Sequence, residues 1–150
     1  MRQHPVTCYC PLPTMFKILR INHVAVCVPD LDAAEKKFRA LGLVPSGREL
    51  VASQQTEVSF FPIGESNIEL IKPEGNAGLE KFLEKRGPGI HHIALEVDNL
   101  QNALSVLAAL GVQLLDAESR AGAHGTKVAF LHPKALGGVL VELVEVAAPH

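Results

Sequence analysis

The chain has 150 residues and a mass of 16.1 kDa; 47% of its residues are hydrophobic and 20% charged, enough apolar material for one core and too much for a disordered chain. A net charge of −2 and a sequence pI of about 6.4 exclude a global basic field that would gather nucleic acid or an anionic membrane surface. The longest apolar-rich stretch, Ala103 to Leu115, is broken by Ser105, Gly111 and Gln113 and is too short to span a bilayer.

Residues 1–15 read as a disordered, proline-rich tail. Cys8 and Cys10 lie in it, but no second Cys/His pair completes a zinc spacing. It also lacks the apolar run of roughly 7–15 residues that a secretory signal carries. Met15 opens the first patterned segment and stands beside Met1 as an alternative start. With Cys27 the cysteines number three, an odd count without framework spacing, so a reducing compartment is expected and the cytoplasm is assigned.

From His23 the residues alternate as a strand does. Val24, Val26 and Val28 share one face, and His23, Ala25 and Cys27 share the other. Leu31, Ala34, Phe38 and Leu41 then recur at helical spacing, with Asp32 and Glu35 read as a capping box and Gly42 as the C-terminal glycine. Apolar strands follow at Val58 to Ile63 and Ile68 to Ile71. Glu74 to Gly89 carries Leu79, Phe82 and Leu83 on a short linker helix, placed at about 76–87.

The pattern then repeats. Shifted by 69 residues, positions 22–42 match 91–111 at eight of 21 pairs, including His23/His92, Ala25/Ala94, Val28/Val97 and Gly42/Gly111. Strands at Lys127 to Leu131 and Val139 to Val146 complete the second unit, and Ile68-Glu69-Leu70 answers Val141-Glu142-Leu143. Each unit is β-α-β-β, with a third strand placed between the last two. The expected architecture is α+β: tandem βαβββ modules, about 18–73 and 90–146, forming one cupped mixed sheet within a single domain at 16–147. Helices cover its outer face, and the cupped face is left for a site.

A histidine thus opens each unit and a glutamate marks its last strand: His23 with Glu69, His92 with Glu142. By alternation all four face away from the helix-side residues. A single histidine at a strand start is usually a satisfied core group, and a single glutamate in an apolar strand usually faces solvent. Recurrence of both at matched places favours a metal site instead. Two imidazoles and two carboxylates suit a divalent first-row ion with open positions, and the carboxylates balance its charge. Glu96 shares the His92 face, but its counterpart is Cys27, and it reads as a rim residue.

This duplicated unit with its His/Glu/His/Glu set resembles the vicinal oxygen chelate superfamily, and within it the methylmalonyl-CoA epimerase family. The residues that carry the resemblance are Asn22-His23-Val24-Ala25-Val26, Ile68-Glu69-Leu70, Gly87-Pro88-Gly89-Ile90-His91-His92-Ile93-Ala94, Gly122-Ala123-His124-Gly125, Phe130-Leu131-His132-Pro133-Lys134 and Gly137-Gly138-Val139-Leu140-Val141-Glu142-Leu143. It covers about Phe16 to Glu145. The ligand set is shared across the superfamily; the combined loop motifs are the more specific part.

The resemblance implies one divalent ion per chain on His23, Glu69, His92 and Glu142, with Co2+ first and Mn2+, Ni2+ or Zn2+ also suited. It implies an acyl-CoA substrate, a homodimer, and interconversion of (R)- and (S)-methylmalonyl-CoA in propionyl-CoA breakdown. The α-proton lies between a thioester and a carboxylate; its removal gives an enolate that a Lewis acid stabilises, and inversion needs an acid/base group on each face. Glu69 and Glu142 are the candidates. A separate glutamate that some family members carry falls on Val58 here, with Glu57 one residue away on the opposite strand face. His124, Lys127, His132 and Lys134 belong to the signature loops without a derived role. The alternatives are a glyoxalase I-type lactoylglutathione lyase and a non-enzymatic ligand-binding module of the same fold.

Overall fold

The structure, a computed structural model, describes residues 16–147, so the expected tail with Cys8, Cys10 and Met15 lies outside the described residues. Two βαβββ units follow one another. The first is β1 (Ile18–Cys27), α1 (Leu31–Arg39), β2 (Gly47–Val51), β3 (Thr56–Ile63) and β4 (Ser66–Pro73). The linker helix is α2 (Ala77–Arg86). The second unit is β5 (Gly89–Val97), α3 (Leu100–Ala109), β6 (Arg120–Ala121), β7 (Lys127–Leu131) and β8 (Val141–Glu145). The extra strand of each unit comes directly after the helix, not between the last two strands as expected.

All eight strands join one mixed sheet in the order β2-β3-β4-β1-β5-β8-β7-β6. The halves meet through the antiparallel β1–β5 pair, and each half adds its last strand parallel to its first, β4 on β1 and β8 on β5. The sheet curls until its two edges touch: Ser53 Oγ donates to Ala121 O at 2.8 Å, and the His124 backbone N–H donates to Glu49 Oε2 at 2.9 Å.

Two apolar clusters hold the helices on the outer face. In the first half α1 brings Leu31, Ala34 and Phe38 onto Val28, Phe61 and Leu70; in the second α3 brings Leu100, Ala103 and Leu104 onto Val97, Ala129, Leu131 and Leu143. The linker helix behaves differently. Leu79, Phe82 and Leu83 pack with Ala25, Cys27, Val58, Phe60 and Ile71, so α2 sits on the inner face and walls one end of the cup.

The capping box is also corrected. Asp30, extended at φ −141°, caps α1 by accepting from the Ala33 N–H at 3.1 Å. Glu35 instead accepts from Arg48 Nε and Ser59 Oγ, each at 2.7 Å, and ties α1 to β2 and β3. Asp30 thus starts the helix two residues earlier than the Asp32/Glu35 pattern indicates. Gly42 and Gly111, at φ +90° and +79°, follow the two outer helices where a left-handed residue ends the turn.

Phe61 is fully buried on the outer face, with its ring 5.8 Å from that of Phe38. Phe61→Ala is expected to cost about 3–5 kcal/mol in urea unfolding. Divalent-ion uptake by the folded fraction should be unchanged, because the cavity lies across the sheet.

Candidate active site

Two alanines define the centre of the inner face. Ala25 stands opposite Glu69 on β4 and opposite His92 on β5; Ala94 stands opposite His23 on β1 and opposite Glu142 on β8. Residues paired across neighbouring strands share a face, so the four predicted side chains surround two methyl groups that are themselves fully buried. All four are buried as well.

The β1–β5 register shifts three times, once at Leu19 near the start of β1 and twice at equivalent places beside the histidines. Ile21 pairs with Leu95 and His23 with Ala94, which leaves Asn22 as an extra residue on β1. Ala25 pairs with His92 and Val26 with Ile90, which leaves His91 extra on β5. Each is a β-bulge. Asn22 and His91 therefore line the cavity beside the histidines that follow them. The alternation read from the sequence turns them away; the repeat does pair the two positions, and that was the available signal.

His23 Nε2 and His92 Nε2 are 3.2 Å apart, and the Glu142 carboxylate lies 3.5 Å from the first and 3.8 Å from the second. One ligand atom from each of these three residues lies within 4.8 Å of the others. Glu69 stands on the other side of the His23 ring, its Oε2 2.8 Å from Nδ1. The structure thus brings His23, His92 and Glu142 to one point and places Glu69 against the far nitrogen of His23. The remaining ring contacts are Asn22 Oδ1 with His23 Nδ1 at 2.7 Å and His91 Nδ1 with His92 Nδ1 at 2.9 Å.

Burial sets the electrostatics. It pushes the Glu142 carboxyl up to about 7, and it holds His92 well below the usual imidazole value, with His23 and His91 adding to that effect. His23 is pulled down by burial, but its hydrogen bond to Glu69 and the charges of Glu69 and Glu142 outweigh this, and the net shift is upward. Two ring nitrogens at 3.2 Å cannot point lone pairs at each other with nothing between them. A proton on His23 meets that need in the ion-free protein. A divalent cation meets it with more charge, and two imidazoles with an adjacent carboxylate are a donor set that fits a first-row ion.

The cavity around this centre measures about 540 Å³. Phe60 and Phe130, the partners of Glu69 and Glu142 on the next strands, line its sides. Val58 faces into it, while Glu57 stays 3.8 Å from Arg48 Nη1; β3 runs in unbroken register with both neighbours, so no bulge turns Glu57 inward. Glu96 is more enclosed than a rim residue, buried and held by Arg20 at 3.3 Å and by the Asn22 amide at 3.2 Å. The His124 ring stacks on Phe60 with centroids 4.2 Å apart, and His132 caps the short turn Pro133–Leu136. Lys127 and Lys134 are exposed. Arg120 also borders the cavity, 3.2 Å from Asp116 and over the Phe130 ring; the strand pattern gave no sign of it.

Residues 22–130 match the model of the Glyoxalase/Bleomycin resistance protein/Dioxygenase superfamily. The mitochondrial methylmalonyl-CoA epimerase of Mus musculus is 41% identical over 132 residues, which is 86% of this chain and 74% of that protein. An ethylmalonyl-CoA/methylmalonyl-CoA epimerase of Cereibacter sphaeroides is 40% identical over 131 residues, 85% of this chain and 98% of that one. A solved variant of the Streptomyces coelicolor methylmalonyl-CoA epimerase in complex with 2-nitronate-propionyl-CoA superposes with a TM-score of 0.84 at 33% identity, covering 88% of this chain and 97% of its own. These relatives lend no support to the glyoxalase or binding-module alternatives. The chain belongs to the glyoxalase/bleomycin resistance/dioxygenase superfamily and, within it, to the methylmalonyl-CoA epimerases.

Proposed function

We propose that the chain interconverts (R)- and (S)-methylmalonyl-CoA by α-proton exchange in this cavity, with Glu69 and Glu142 as the two acid/base groups and His23, His92 and Glu142 as the donor set for a divalent ion; Glu69, expected as a fourth ligand, stands against His23 Nδ1 outside that set. The observation that carries the reading is the placement of the two carboxylates. They sit on β4 and β8, flanking the β1–β5 pair that bears both histidines, in one buried cavity. A racemising site needs a proton acceptor on one face of the substrate and a donor on the other.

One carboxylate takes the α-proton, and the C–H electron pair passes into the thioester carbonyl to give a planar enolate. The other carboxyl then returns a proton to the opposite face. The Phe60 and Phe130 rings border the space. When bound, a divalent ion supplies positive charge and Lewis acidity beside the reacting carbonyl. The nitronate held by the Streptomyces relative is a planar anion, as an enolate is, which supports the same chemistry for this cavity. Co2+ as the ion, a homodimer and a role in propionyl-CoA breakdown are assigned on the resemblance, and a cytoplasmic location on the odd cysteine count. No helix among the described residues is long and apolar enough to cross a membrane.

Proton NMR of methylmalonyl-CoA in D2O tests the reading. Co2+-loaded protein should exchange the α-proton and erase optical purity, and chelator-treated protein should do neither; no exchange with a loaded site would refute the assignment. At saturating Co2+, Glu142→Gln and Glu69→Gln should each slow exchange of one enantiomer by about 10²–10⁴-fold, with opposite hands affected. Normal exchange of both hands by both variants would remove the glutamates from the acid/base roles.

Ion uptake should also release protons. Glu142 and His23 both have raised values in the folded chain, so each holds its proton to a higher pH than it would unfolded. Their protonated forms favour the ion-free fold at low pH, and that contribution fades as the pH rises through about 7, where Glu142 ionises. Calorimetry in buffers of different ionisation enthalpy should find proton release per Co2+ greatest near pH 6 and falling above pH 7. Release that does not vary with pH would contradict it.

A further inference from the structure

The bulge residues that directly precede the two histidines have no role in the chemistry above, yet both touch the rings that do. Asn22 and His91 occupy equivalent positions of the repeat, each directly before a histidine of the candidate centre. Each meets the Nδ1 atom of that histidine: Asn22 Oδ1 at 2.7 Å, His91 Nδ1 at 2.9 Å. We propose that Asn22 and His91 are positioning residues that fix His23 and His92 with the proton on Nδ1 and the lone pair of Nε2 aimed at the cation site. This rests on the reading of the two histidines as ligands of a divalent ion.

A neutral imidazole carries one N–H and one lone pair, and the partner of one nitrogen decides which is which. The Asn22 amide oxygen only accepts, so the His23 Nδ1 that faces it must donate, and Nε2 is left to coordinate. The second half solves the same problem with a different group. The His91 ring accepts at Nδ1 when its own proton is on Nε2, and it is held in place edge-on to Phe82 of α2, with centroids 5.1 Å apart and planes 77° apart. The bulges make this contact possible. In a regular strand, residues 22 and 91 would face the outer layer and could not reach the ring beside them.

The two halves differ in their reserves. His23 Nδ1 has Glu69 at 2.8 Å as well as Asn22, whereas among the described residues His91 is the one hydrogen-bond partner of His92 Nδ1. The second half therefore depends more heavily on its bulge residue.

Co2+ affinity, measured by calorimetry on the intact chain, tests this. His91→Leu should weaken binding by about 10–100-fold, the range expected when an outer hydrogen-bond partner of a ligating histidine is lost. His91→Asn copies the first-half arrangement and should restore affinity to within about threefold of the unaltered protein, a rescue that mere filling of space by Leu cannot give. Asn22→Leu should cost less than His91→Leu, because Glu69 stays on His23. A second readout needs no variant: imidazole 15N shifts of the Zn2+-loaded protein should show the His92 proton on Nδ1. If the unaltered protein takes up no Co2+, the ligand reading falls and this inference with it. If it binds normally but His91→Leu binds as tightly, or His91→Asn is as weak as His91→Leu, or the His92 proton lies on Nε2, the positioning role alone is overturned.

Discussion

The antiparallel junction of β1 with β5 is the constraint on which the site depends. It joins the two halves and sets each histidine beside the alanine of the opposite half, His23 against Ala94 and His92 against Ala25. Parallel pairing then adds Glu69 next to Ala25 and Glu142 next to Ala94. A slip of one residue at this junction would turn one half's histidine and glutamate to the outer face, where the helices pack on apolar partners, and would separate them from the other pair. The small size of the two alanines matters for the same reason: a larger side chain at either position would fill the space on which the rings and carboxylates converge.

Gathering four ionisable groups in a buried place opposes folding, since each loses water that the protein must replace. The structure answers with partners, not with solvent. Glu69 pairs with a His23 whose affinity for protons is raised, Glu142 is pushed toward its neutral form by burial, and His92 is kept neutral. Stability comes from elsewhere: the outer clusters around Phe61, Leu70, Leu100 and Leu104 lie across the sheet from these charges.

Much of this was legible in the chain. The 69-residue repeat and period-two alternation suffice to place His23, Glu69, His92 and Glu142 on one face, because each lies in a strand with one apolar flank. What alternation cannot show is where it breaks. The bulges at Asn22 and His91 depend on the pairing of two segments far apart in the chain, and neither segment carries a local turn signal. The helix at 76–87 was visible, but not that Leu79, Phe82 and Leu83 would find their apolar partners inside the cup. Nor did spacing reveal that Glu35, read as half of a capping box, has the Arg48 guanidinium and the Ser59 hydroxyl within reach, while Asp30 caps the helix through the Ala33 N–H.

Duplication alone would make a site with equal halves, and this one is unequal in a manner that suits its chemistry. The two carboxylates come from equivalent strands, yet Glu69 is tethered to His23 at 2.8 Å while Glu142 stays 3.5 Å or more from either ring nitrogen at the centre. The two outer acceptors differ too, an amide in one half and an imidazole in the other. A substrate carbon that must be deprotonated from either side does not meet mirror-image surroundings, because the protein is chiral and its halves are related by rotation. Equal chemistry on the two faces therefore requires different residues tuned separately. The common register supplies the geometry for both, and the divergence at Asn22/His91 lets each half adjust its own histidine without moving the strand that carries it.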